Sequence, residues 1–169
     1  ENKNIEFSIN LLISDILEKD VIDFLIQKVY EFDIGYFLTI EITESEGIDN
    51  IEEVISFIKV VKNLGVKIAI DDFGTGYSSL SYFTKFPIDT LKIDKSFVRD
   101  MLEDSNAMTI IDTIINMAKA MDVAITAEGV ETLEHMEKLK IMGCDKIQGY
   151  YISKPQKAYV LEQMLKKLP

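Results

Sequence analysis

Apolar and polar residues alternate in six short, β-rich runs, at residues 5–10, 36–43, 67–73, 90–94, 124–130 and 146–151. Side chains alternate between the two faces of a strand, so each run can be divided by face. In the first, Ile5, Phe7 and Ile9 oppose Glu6, Ser8 and Asn10. In the second, Leu38, Ile40 and Ile42 oppose Thr39, Glu41 and Thr43. Leu91 and Ile93 oppose Lys92 and Asp94, Ile125 and Ala127 oppose Thr126 and Glu128, and Ile147 opposes Gln148. Between the runs, helical patterns cover residues 14–32, 51–64, 105–121, 133–142 and 156–168, with a short helix predicted over 78–84. Gly65 and Gly143 stand where helix C-caps are expected, and Pro87 and Pro155 interrupt helical patterns.

Strand–helix alternation predicts an α/β fold with parallel strands and crossover helices. Helices cover the apolar strand faces. The polar faces must then meet one another, because burying them against hydrocarbon is costly. A sheet curled into a TIM-like barrel satisfies this, and its active site lies at the C-terminal strand ends. The alternative, an open doubly wound sheet, normally buries both strand faces in hydrocarbon, which these strands do not suit.

The chain has 169 residues, 47% of them hydrophobic and 28% charged, enough for one domain with a core. A net charge of -11 argues against general nucleic-acid binding, which needs a basic footprint. It also means that phosphate chemistry here needs metal ions or local positive groups. One cysteine, Cys144, excludes an internal disulfide and fits a reducing, cytoplasmic compartment. Cys144 reads as core, the one histidine, His135, as a helix-surface residue, and most methionines as core packing. So few His and Cys residues argue against zinc and for a hard cation bound by oxygen. No apolar stretch is long enough to span a bilayer. Residues 1–4 have neither an initiator Met nor a signal core, which suggests a domain excised from a longer chain, including the cytoplasmic part of a membrane-anchored parent.

The adjacent acids Asp71 and Asp72 end the third run, before Phe73-Gly74-Thr75-Gly76. Each carboxylate disfavours ionisation of the other unless positive charge intervenes. From a regular strand they could not both point inward, but a turn eased by Gly74 and Gly76 would allow it. Capping a helix or forming an Asx turn is the alternative role. Paired divalent cations about 3.5–4 Å apart are a standard device for phosphoester hydrolysis, and adjacent carboxylates suit them. Asn10, Glu41, Asp71, Lys92, Asp94, Glu128 and Gln148 all fall on inward faces near strand ends, a convergence that favours the metal reading.

Six blocks, in order, resemble the EAL domain family of bacterial cyclic di-GMP phosphodiesterases. They are Ser8-Ile9-Asn10, Glu41-Ile42-Thr43-Glu44-Ser45, the run from Asp71-Asp72 to Leu80, Leu91-Lys92-Ile93-Asp94, Ala127-Glu128-Gly129-Val130-Glu131-Thr132, and Gln148-Gly149-Tyr150-Tyr151 followed by Lys154-Pro155. The resemblance implies a (β/α)8 barrel with two Mg²⁺ or Mn²⁺ ions. Asn10, Glu41 and Asp71 would hold the first ion, and Asp71, Asp72 and Glu128 the second. Lys92 would be the positive group near the attacking water and phosphate, and Glu128 would help position that water. Asp94, Glu131 and Gln148 would support the site or contact substrate, and Glu44 would order the loop over residues 73–79. That loop is linked in the family to metal binding and dimerisation. The expected reaction is hydrolysis of cyclic di-GMP to linear pGpG.

The Glu-Ala-Leu motif that names the family is absent from the sequence. A typical barrel takes about 250 residues, so residues 1–169 are expected to be a partial EAL domain carrying strands 3 to 8. The first metal would lose one carboxylate and activity would be impaired. Exposed sheet edges invite pairing with another chain, which predicts a homodimer. Regulatory domains are expected in the parent chain. The alternative reading is a catalytically inactive module that binds cyclic di-GMP or a protein partner.

Overall fold

A computed structural model describes residues 5–43, 51–75 and 85–167. Among them, six strands form one parallel sheet: β1 (Phe7–Leu11), β2 (Leu38–Thr43), β3 (Lys67–Phe73), β4 (Thr90–Ile93), β5 (Ala124–Ala127) and β6 (Lys146–Ile147). They lie side by side in chain order, each parallel to the next. A doubly wound sheet reverses its order at a switch point. This one does not among its described strands, so it is the singly wound, incomplete barrel that the strand patterns predict.

The described helices are α1 (Ile13–Leu17), α2 (Lys19–Phe32), α3 (Ile51–Asn63), α4 (Lys95–Asp100), α5 (Ser105–Ala120), α6 (Leu133–Met142) and α7 (Ala158–Lys167). The apolar strand face is fully buried at Ile40, Ile68, Leu91, Ile93 and Ile125. Val54, Ile58 and Val61 of α3 and Ile111, Ile115 and Ala118 of α5 belong to the same core. Burying each large aliphatic side chain contributes about 1.5–3 kcal/mol, so the outer layer dominates the fold's stability. Pattern therefore translates into layer: period two on the strands, period 3.6 on the helices, one shared core.

Three local expectations are corrected. The predicted helix over 14–32 is two helices, parted at Glu18, whose backbone is extended (φ -88, ψ 108). The break lets Ile13 and Ile16 of α1 reach the core while α2 takes its own course, so packing overrides local propensity. Helix α4 falls in a segment not predicted as helical; Asp94 caps it by accepting from the Ser96 N–H at 2.9 Å. His135 is buried at 7% exposure, not on the helix surface, and its Nδ1 has no hydrogen-bond partner among the described residues. Helix α6 is only weakly amphipathic, so its buried face was not legible from pattern. The predicted helix over 78–84 lies outside the described residues.

Candidate metal centre and adjoining pocket

Lys92 is the hub of the concave face. The residue is 3% exposed, and its side chain rises from β4. Nζ donates to Glu41 Oε2 of β2 at 2.5 Å, and lies 3.0 Å from Asp71 Oδ1 of β3 and 2.6 Å from Glu128 Oε1 just past β5. Burial alone would lower the Lys92 pKa, but hydrogen bonds with Glu128, Glu41 and Asp71 outweigh it and hold the ammonium charged. One cation thus faces three carboxylates, from β2, from β3 and from the residue that follows β5. Burial pushes the Glu128 carboxyl above its ordinary value despite Lys92, and the negative charges of Asp71 and Glu41 add to the rise.

A register shift brings Asp72 into the same site. Ile70 pairs with Leu91 and Phe73 with Ile93, so Asp71 and Asp72 together stand opposite Lys92. This is a β-bulge, which turns a side chain that would otherwise point outward. Asp72 itself takes the left-handed conformation, φ 53, which Asp tolerates better than most residues. The Asp72 N–H donates to Asp71 Oδ1 at 3.0 Å, and the Thr75 hydroxyl donates to the Asp72 carbonyl at 2.9 Å. The sequence reading assigned this freedom to Gly74 and Gly76. Gly74 does have φ +98, but the turning residue is Asp72, and Gly76 lies outside the described residues. Burial first, then the adjacent Asp71 and Asp94, raise the Asp72 carboxyl above its ordinary value.

Carboxylate oxygens of Asp71, Asp72 and Glu128 lie within 4.8 Å of one another. Three converging anionic oxygens with no His or Cys among them suit a hard divalent cation. Glu41 is 9% exposed and directed at Lys92. Asn10 pairs in register with Glu41 on the neighbouring strand but is exposed. Asp94 is buried beneath the site as the cap of α4, where burial alone would raise it but hydrogen bonds from Ser96 hold its carboxyl low. Glu44 lies outside the described residues.

Beside the acids opens a cavity of about 340 Å³, lined by Glu128, Glu131 and Gln148 together with Lys95, Ser96, Arg99 and Tyr150. Lys95 and Arg99 are one turn apart on α4 and place two cations at its wall. Sequence reasoning missed both because the helix that aligns them was not foreseen. Their spacing of four, directly after Asp94, was the available signal.

The EAL domain model matches residues 1–155. The chain belongs to the EAL domain family. Among its EAL relatives, the cyclic di-GMP phosphodiesterase NbdA of Pseudomonas aeruginosa is 41% identical over 130 residues, which is 77% of this chain and 17% of NbdA. The chain thus spans under a fifth of that relative's length. The crystal structure of the EAL domain of Mycobacterium smegmatis DcpA superposes with a TM-score of 0.90 at 34% identity, over 98% of this chain and 75% of that one. Klebsiella pneumoniae BlrP1, solved with manganese and cyclic di-GMP, superposes with a TM-score of 0.77 at 32% identity, over 86% of this chain and 38% of BlrP1. An EAL fold and acidic, lysine-centred strand ends occur together in this chain.

Proposed function

We propose that this is part of a metal-dependent cyclic di-GMP phosphodiesterase that yields linear pGpG, with residues 1–169 forming a partial EAL domain. The observation that carries the reading is the meeting of Asp71, Asp72 and Glu128 beside Lys92 in an EAL chain. Cyclic di-GMP is the ligand in the BlrP1 complex, and manganese accompanies it there.

Asp71, Asp72 and Glu128 would hold one Mg²⁺ or Mn²⁺ ion, and Asn10 and Glu41, with Asp71, the other. Bound there, the ions would acidify water and neutralise phosphate charge. Lys92 holds three carboxylates in place and offers fixed positive charge to a phosphoryl oxygen, and its burial strengthens that field. Glu128 would also help position the attacking water. Lys95 and Arg99 meet the second phosphate, Tyr150 offers a face for a base, and Glu131 and Gln148 offer polar contacts in the same cavity. Asp94 supports the site by fixing α4. Sheet edges at β1 and β6 lead to a homodimer, and the parent chain carries regulatory domains.

The family's naming motif lies outside residues 1–169; without its Glu one ion would lack a carboxylate, and turnover by these residues alone would be impaired. Cyclic di-GMP incubated with Mn²⁺, with products separated by chromatography, tests this. Turnover is expected in a version extended upstream and strongly reduced in this chain. Asp71→Asn in the extended version should abolish turnover and leave the fold intact by circular dichroism. Binding without turnover in both versions would make the domain a sensor and overturn the proposal.

A further inference from the structure

At the other end of the strands from the acids, Asp89 joins three elements of the middle of the sheet. It directly precedes β4 and is half-buried. Its Oδ2 accepts from the Ile68 N–H of β3 at 2.8 Å, and its own N–H donates to the Ile68 carbonyl at 2.8 Å. Its Oδ1 accepts from Lys62 Nζ of α3 at 2.5 Å. Its carbonyl accepts from the Ala124 N–H of β5 at 3.0 Å. The slanted bonds of a regular parallel ladder take the N–H and the carbonyl of one residue to two different residues of its neighbour. Both groups of Ile68 end on Asp89 instead, so a side chain as well as the backbone fastens β3 to β4 here.

From this point β3 takes five steps to reach Phe73, while β4 takes four to reach its partner Ile93. The surplus residue falls where Asp71 and Asp72 stand opposite Lys92. Sliding β4 by one residue, with Phe73 and Ile93 still paired, would remove the surplus. Asp71 would then stand opposite Leu91 and face the apolar outer layer, since paired residues share a face. The same slide would move Asp89 opposite Ala69 and break both of its bonds to Ile68. Among the described strand pairs, β3–β4 alone has a shifted register. Asp145 makes a similar bond before β6, its Oδ2 accepting from the Ile125 N–H at 2.8 Å, but the ladder beside it has no shift.

We propose that Asp89 is a positioning residue for the metal centre: by clamping β3 to β4 ahead of the bulge, it confines the surplus residue to Asp71 and Asp72 and keeps both carboxylates turned towards Lys92 and Glu128. This role rests on the reading of Asp71, Asp72 and Glu128 as metal ligands. Asp89 acts at a distance, because Ile68, which it grips, lies four residues before Asp72 along β3, roughly 13 Å away. The clamp needs an acceptor where Oδ2 stands, and an asparagine amide oxygen supplies one as well. The ion pair with Lys62 is part-buried and adds charge balance, but it does not touch β3.

Two readouts on the version extended upstream test this, one of them metal-free. Without metal, amides of residues 69–73 should exchange about tenfold faster in Asp89→Ala than in the wild type, and near the wild-type rate in Asp89→Asn. Mn²⁺ titrations followed by electron paramagnetic resonance should show binding about three- to tenfold weaker in Asp89→Ala and restored in Asp89→Asn. Ile111→Val, a change in the buried core of α5, lowers stability without touching β3 and should leave Mn²⁺ binding unchanged. Unchanged exchange at 69–73 in Asp89→Ala, or Mn²⁺ bound as tightly as in the wild type, would overturn the clamp and leave the metal reading standing. Weakened Mn²⁺ binding in Asp89→Asn, which keeps the acceptor, would overturn it too. A wild type that binds no Mn²⁺ would overturn the metal reading, and the positioning role with it.

Discussion

A single ammonium group organises the acidic end of this sheet. Lys92 was legible in the sequence as an inward-facing cation, because it alternates with Leu91 and Ile93. Its three partners were not legible as partners, since Glu41, Asp71 and Glu128 are distant in sequence and meet only after the strands are ordered and curled. Removing the lysine would leave poorly solvated carboxylates crowded together. Lys92→Met is therefore expected to lower the unfolding free energy by about 3–5 kcal/mol in EDTA, read from urea melts. Millimolar Mn²⁺ should restore part of the loss, by replacing one cation with another. A variant as stable as the wild type in EDTA would show that the carboxylates do not depend on Lys92.

Elements place the other parts of the site, and each does so by a feature that periodicity misses. The bulge in β3 was foreseen only as some turn at a strand end, because a period-two pattern cannot say where a neighbouring strand skips a residue. Helix α4 was missed because it is only six residues long, and Arg99 and Lys95 went with it. The segment after β6 was predicted as strand as far as residue 151. The ladder instead stops at Ile147, and the chain continues with the Gln148 N–H donating to the Ala127 carbonyl at 2.8 Å and the Tyr151 N–H to the Val130 carbonyl at 2.9 Å. Gly149 makes this crossing possible: a Cβ there would stand 2.2 Å from the Val130 carbonyl oxygen and 2.3 Å from its nitrogen. Since the obstacle is backbone, Gly149→Ala must push the segment away, at a cost of about 1–3 kcal/mol. It would also displace Gln148 and Tyr150 from the cavity wall. A thermal melt measures the first effect, and an unchanged midpoint would contradict the close packing.

At the scale of the whole molecule, the sheet formed by the described strands is open on one side. Strand β1 lies at one edge and β6 at the other, and apolar groups remain exposed along both flanks: Phe7 at 41%, Ile152 at 62%, Leu161 at 50% and Met164 at 45%. Unpaired strand edges with apolar neighbours favour association. Light scattering on the purified chain should give a dimer mass at micromolar concentration. A monomer at every concentration would rule out edge pairing as the basis of a dimer. No described helix is long and apolar enough to cross a membrane, in line with the absence of any such stretch in the sequence.

By itself the sequence determined which residues are apolar on which face, where most strands and helices run, and which polar side chains gather at strand ends. These follow from local chemistry: the two periods and the cost of burying charge act within a few residues of each position. Only the tertiary structure decided that Lys92 faces three carboxylates, that Asp72 turns inward through a register shift, that His135 is buried and that Asp89 grips Ile68. Each of these depends on strand order and curvature, which arise from burying the shared apolar layer as a whole and leave no mark at any single position in the chain.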